Sequence, residues 1–464
     1  MKRLSRNFLS ITLSDLARRL VGFFAVAYLA RTIGTSGFGI VNIGFTVLAY
    51  AMLASSAGLG TFGTREIARG GSADVVGSIV GIRLFFALPV FATIWIVASL
   101  VVHDPGTAHV IILCSASIFA GAAMLDWYFL GKEEMAVVGI GRGISAVLYL
   151  LLLFALVRSP GDLIWVAVAA VAGDVGATLF LVAVYRRRVG PIRLHIEPGA
   201  SRNIVGRSLL LSGGAILAYL STNLPTLILG ALKTNSEVGL FSAASKLVVV
   251  LLAIDRVLGA LLLPAASRIS AESPDRLATR LDLAMKWIVV TALPLTVGGM
   301  MLSGKLVTAV YGAQFADAAP VFRILIWFFF CTMIHTVLAA GLLALGQERL
   351  YTKSMGISAL LYASTVVLLS SIFGIVGTAV AVAASELVTV ILMQYQFARF
   401  VKLQTGVHIM KALPAVVVMG FGVYCMGSLS WMIAVVAGAV LYGGTLLLTR
   451  ALTRTDIESL LERI

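Results

Sequence analysis

Runs of roughly twenty apolar residues, separated by short polar gaps, divide this chain from end to end. Wound as a helix, each run is long enough to cross a hydrocarbon core about 30 Å thick. Inside such a core the backbone must satisfy its own hydrogen bonds, which leaves helices or a closed barrel. A barrel shows short segments of alternating polarity, and these runs do not alternate. Composition agrees: of 464 residues, 60% are hydrophobic and 12% charged, against about 25% charged in soluble domains. The mean hydropathy is +1.02. The chain is read as all-α, a polytopic membrane protein.

The runs predict spans at 9–31, 38–60, 78–102, 108–130, 138–158, 162–185, 207–231, 238–263, 283–306, 320–345, 353–373, 375–398, 410–428 and 431–449. With the N-terminus inside, Lys and Arg in the loops and at the span ends fall 23 to the cytoplasmic side and 4 to the other, as the positive-inside rule requires. Both termini are expected in the cytoplasm. Met1-Lys2-Arg3 imitates a signal peptide, but Asp15, Arg18 and Arg19 interrupt the apolar stretch, so the first helix is read as retained.

An internal repeat is visible by eye. Gly143-Ile144-Ser145-Ala146 recurs as Gly356-Ile357-Ser358-Ala359, and Ala87-Leu88-Pro89 as Ala292-Leu293-Pro294. Gly39 maps to Gly239, Arg65 to Arg268 and Asp174 to Glu386, in preserved order. Six helices separate equivalent points, so the copies share one orientation. The expected architecture is two pseudo-symmetric six-helix lobes plus two C-terminal helices. Their bounds are residues 1–185, a basic cytoplasmic linker at 186–206, residues 207–400, and 401–464 with helices 13 and 14. Duplicated lobes favour a rocking transporter with its site at the lobe interface.

Charges inside the spans are the functional candidates, because each costs several kcal/mol unless it faces protein or water. The first helix carries Asp15, Arg18 and Arg19 on one face, the acid placed N-terminal to the bases. Asp174 lies near mid-helix; Lys246, Asp255 and Arg256 share the eighth span. Arg83, Arg142, Lys286 and Arg323 fall near predicted ends, where they can snorkel. Asp126 is expected at a boundary; His335 is mid-helix and could titrate, though a lone histidine is more often structural. Excess cation facing a cavity suits a phosphate, which Arg grips with a two-pronged fork. The expected anion ligands are Arg18, Arg19, Lys246 and Arg256; the expected ion-coupling acids are Asp15 and Asp174.

The net charge of +14 follows from basic cytoplasmic loops rather than nucleic-acid binding. Cys114, Cys331 and Cys425 each lie in an apolar run, so buried thiols are expected, with no metal or disulfide spacing. No phosphate-binding loop, H-E-x-x-H or G-x-S-x-G motif occurs. No cofactor and no catalytic residue is expected.

Leu29-Ala30-Arg31-Thr32-Ile33-Gly34, followed by Gly37-Phe38-Gly39, Gly58-Leu59-Gly60 and Thr64-Arg65-Glu66-Ile67-Ala68, resembles the polysaccharide-transport (Wzx-type flippase) family of the MOP exporter superfamily. The resemblance extends over the chain in length, span count and duplicated halves. It implies flipping of undecaprenyl-diphosphate-linked oligosaccharide to the outer leaflet of the plasma (inner) membrane, for O-antigen, exopolysaccharide or capsule assembly. It also implies a cation-lined cavity, coupling to an H+ or Na+ gradient in several members, and partnership with membrane lipids and glycan polymerase or glycosyltransferase machinery. The lipid II flippases and the multidrug exporters are rival branches. A polytopic glycan polymerase or ligase needs a site in an outer loop; the longest here, Lys305 to Ala319, holds one acid, Asp317.

Overall fold

The computed structural model describes the chain apart from residues 1, 72–73, 196–197, 427–429 and 450–464. Side chains of residues 2–21, 213–222, Pro198, Ala200, Pro274 and Asp275 also lie outside the described set. The described residues form helices throughout. In order they are α1 (Lys2–Ser56), α2 (Leu59–Ala68), α3 (Asp74–Val101), α4 (Pro105–Ser115), α5 (Ser117–Ala123), α6 (Asp126–Gly131), α7 (Met135–Leu156) and α8 (Leu163–Arg188). Then follow α9 (Pro198–Leu232), α10 (Asn235–Glu272), α11 (Pro274–Met301), α12 (Ser303–Tyr311), a 3₁₀ turn at Ala313–Ala318, α13 (Ala319–Ala344), α14 (Glu348–Phe397), α15 (Thr405–Cys425) and α16 (Trp431–Leu448).

Two of these are pairs. At 1.5 Å per residue α1 and α14 would run straight for about 80 Å, far beyond a bilayer core. Each is instead broken at a glycine, Gly34 at φ 74° and Gly374 at φ 59°, in a region that L side chains avoid. The Ser370 and Thr378 hydroxyls lie 2.7 Å apart across the second break, whereas eight residues of straight helix would separate them by about 12 Å. Eleven described helices are long and apolar enough to cross a membrane. That count takes α1 and α14 once each across their breaks, and the described apolar stretch of α9, Asn223–Leu232, is shorter.

The chain separates into two compact units, residues 1–239 and 240–464. In the first, the expected fourth span is assembled from α4, α5 and α6, with Met124 extended (ψ 132°) between the last two. That step turns Asp126 and Trp127 inward. Around them Phe62, Ile79, Leu125, Trp127, Phe129 and Tyr185 form a buried core joining α2, α3, α6 and α8. Elsewhere on α3, Phe85, Leu88, Trp95 and Leu100 face outward, as lipid-facing side chains do. Also within this unit, Gly39 and Gly239 meet reciprocally. A Cβ on Gly39 would strike the Asn235 carbonyl, and one on Gly239 the Thr35 carbonyl. The Ser236 hydroxyl donates to Thr35 at 2.8 Å beside them. These are repeat partners at one offset, 35 with 235 and 39 with 239.

In the second unit α13 is the central helix, with Phe329, Val337 and Leu338 fully enclosed. Asp282 of α11 accepts the Gln404 N–H at 2.7 Å and engages His408 Nε2 at 3.0 Å, tying α15 to α11. Tyr442 of α16 donates to the Val290 carbonyl at 2.7 Å. The two C-terminal helices are thereby joined to the unit.

Candidate functional site

Arg83 stands nine residues into α3, about 13 Å along its axis. It does not snorkel: it is 7% exposed. Its guanidinium lies 5.9 Å from the Trp127 ring centre, within cation–π range. Gly60 leaves the room, since a Cβ there would sit 2.8 Å from Arg83 Nη2. Neither Arg83 Nε nor Trp127 Nε1 has a hydrogen-bond partner among the described residues.

Two cavities adjoin this arginine. One, of about 330 Å³, is bounded by Ser55, Ser56, Arg83, Met124, Asp126 and Asp174. The other, of about 510 Å³, is bounded by Thr61, Thr64, Arg65, Arg83, Asp126 and Trp127. Asp126, like Arg83, lines both. Its carboxylate accepts the Trp127 N–H at 2.9 Å, and Arg142 Nη2 is 3.8 Å away on its other side. Thr64 donates to the Trp127 carbonyl at 3.0 Å, which fixes α2 against α6. Asp174 reaches the first cavity because α7 and α8 approach closely: a Cβ on Gly173 would sit 2.8 Å from the Ser145 carbonyl. Ser145 Oγ then lies 3.4 Å from the Asp174 carboxylate.

The second unit holds a different polar group. His335 Nδ1 lies 2.7 Å from Glu386 Oε1, each side chain 15% exposed. The next residue, Thr336, donates to Asp255 Oδ1 at 2.6 Å. Lys246 is half-buried on α10 and Arg256 is exposed on it. Ten residues of helix separate the two, about 15 Å. Among the described residues no three His, Cys, Asp or Glu side chains are placed to share a metal ion.

Of the residues singled out in the sequence, Asp174 joins a cavity with Arg83 and Asp126. The side chains of Asp15, Arg18 and Arg19 lie outside the described residues. Arg83 differs from expectation because α3 starts at Asp74, which carries position 83 deeper. Cys114 and Cys331 are buried but Cys425, the last residue of α15, is exposed. The His335–Glu386 pair bridges positions 51 apart in sequence. Its one trace was that Glu386 occupies the Asp174 position of the repeat.

A family model described as polysaccharide biosynthesis protein matches residues 4–270, more than half of the chain. A putative O-antigen transporter of Escherichia coli is 25% identical over 255 residues, 52% of this chain and 60% of that one. A probable low-salt glycan biosynthesis flippase of Haloferax volcanii is 25% identical over 191 residues, 41% of this chain and 40% of that one. The match thus covers less than two thirds of either relative. Among solved structures, the lipid II flippase MurJ in an inward closed conformation superposes with a TM-score of 0.76 at 12% identity, over 95% of this chain and 99% of that one. An inward-facing multidrug transporter of the MOP superfamily gives 0.65 at 15% identity, over 82% and 95%. At such identities the likeness is one of fold.

Proposed function

The chain belongs to the polysaccharide biosynthesis protein family, and from that premise we propose that it is a flippase carrying polyprenyl-diphosphate-linked oligosaccharide from the cytoplasmic to the outer leaflet. It is a transporter rather than an enzyme; its named relatives are transporters and flippases. One observation carries the reading. A buried intramembrane arginine faces two cavities with an unpartnered N–H. A guanidinium kept charged in such a place is expensive unless an anion completes it. Arg83 and Arg65 outweigh Asp126 around the larger cavity, which leaves net positive charge for a diphosphate. Lipid II offers the same diphosphate and is the second cargo to test, given the MurJ-like fold.

Within this reading Arg18 and Arg19 extend the cationic surface of the first unit. Lys246 and Arg256 are anion ligands of the second. Asp174 and Asp15 exchange a coupling H+ or Na+. The membrane is the plasma (inner) membrane with both termini cytoplasmic, on the 23-to-4 distribution of Lys and Arg.

The test is flipping of a fluorescent undecaprenyl-diphosphate oligosaccharide, and separately of lipid II, in proteoliposomes. Arg83→Ala should lower apparent affinity roughly 10- to 150-fold, the equivalent of about 1.5–3 kcal/mol for a charge-assisted bond. Arg83→Lys keeps the charge without the fork and should rescue only in part. Wild-type flipping by a folded Arg83→Ala protein would overturn the assignment.

A further inference from the structure

We propose that His335, Glu386 and Asp255 form a proton-exchange site of the second unit, distinct from the two cavities around Arg83. Three helices supply it. His335 and Thr336, consecutive on α13, face Glu386 of α14 and Asp255 of α10 at 2.7 Å and 2.6 Å. The groups also act on one another electrostatically: Asp255 feels His335, Glu386 and Arg256. Cys331 and Tyr351 feel Glu386. α11, also packed on α13, carries Arg280, Asp282 and Lys286.

The geometry specifies the chemistry. With Glu386 ionised, the Nδ1–H of His335 donates to it, which leaves the Nε2 lone pair to take a proton. Uptake forms one N–H bond and gives an imidazolium on Glu386, within electrostatic reach of Asp255, which also feels Arg256. The two bases and two acids then balance. Release leaves one net negative charge in a low-dielectric interior, a costly state. Histidine is the side chain whose ordinary range makes this exchange available near neutrality. Binding of a multivalent metal does not fit, because no three donors converge among the described residues. The second His–carboxylate pair of this unit, His408 with Asp282, differs in kind. Its carboxylate also accepts a backbone N–H, from Gln404, so it reads as a clamp between α15 and α11.

The proposal is independent of which glycan is carried, and its test uses no glycan. Full-length protein in liposomes on a solid-supported membrane is stepped from pH 8 to pH 6, and the displaced charge is recorded. Wild type should give a transient at constant salt, and Asp174→Asn should keep a His335-dependent part of it. His335→Gln, which preserves a hydrogen-bonding side chain, and Glu386→Gln should each abolish that part. His408→Gln should leave it unchanged. Unchanged charge movement in both His335→Gln and Glu386→Gln would overturn the proposal, as would a transient that follows Na+ steps rather than pH. Should either variant fail to fold, ¹⁵N-histidine spectra of the wild type decide. A His335 ring that titrates between pH 5 and 8 supports the site, and one that keeps a single protonation state refutes it.

Discussion

Four residues in the start of α3 decide what Arg83 is. A helix beginning at 78 would leave it about a turn from the interface, free to snorkel. The helix begins at Asp74, which sinks the same residue by about 6 Å. Apolar-run length locates a span but blurs its ends by just the distance that separates a surface arginine from a buried one. Asp174 was legible because no end is near it. His335 was legible as a mid-helix group that could titrate, but its pairing was not, because Glu386 arrives from another helix. Outside the membrane, two carboxylates make a sharper residue-scale prediction. The Thr107 hydroxyl, then the Thr107 N–H, hold the Asp104 carboxyl below its ordinary range; the Arg158 N–H and the Ser159 hydroxyl and N–H do so for Asp162. A lowered folded value means the caps stabilise above the unfolded carboxylate range, and that contribution is lost only as pH falls through the folded value. Protection of the Thr107 and Ser159 amides, measured against their intrinsic exchange rates, should persist at pH 5 and fall only below about pH 4. Loss of protection between pH 7 and pH 5 would contradict these bonds.

Among the elements, the two glycine breaks were readable and the broken fourth span was not. Apolar runs stop and restart on either side of Gly34 and Gly374, so the sequence already divides there. The step at Met124 between α5 and α6 leaves no such mark, because Gly-Ala-Ala-Met-Leu continues as a helix just as well; buried packing of Trp127 against Gly63 and Arg83 decides it. Gly374→Ala puts a Cβ on a residue at φ 59° and should cost on the order of 1–3 kcal/mol. Gly356→Ala, in open space on the same helix, should cost nothing comparable. Thermal unfolding of the two variants in one detergent measures the difference. Equal midpoints would mean that the break does not depend on glycine.

At the scale of the whole molecule, charge bookkeeping makes the most exposed claim. Arg202 near the start of α9 and Thr234 just past its end lie about 48 Å apart along the helix, more than a bilayer core. Single cysteines at these positions, in a background lacking Cys425, should be labelled from opposite faces of sealed vesicles, with Arg202 on the cytoplasmic one. Labelling of both from one face would undo the fourteen-crossing topology. The repeat was legible as ordered matches, but compactness divides the chain at 239/240, since contacts count neighbours and a repeat counts ancestry. The reciprocal meeting of Gly39 and Gly239 bears on that ancestry. Duplicated segments ordinarily drift apart, each answering to its own surroundings. Here each copy is the other's surroundings: a side chain gained at either glycine is refused by the backbone of its counterpart. The two stretches are therefore bound to change together or not at all. A chimera that imports residues 35–39 from a distant relative should need that relative's 235–239 to be viable.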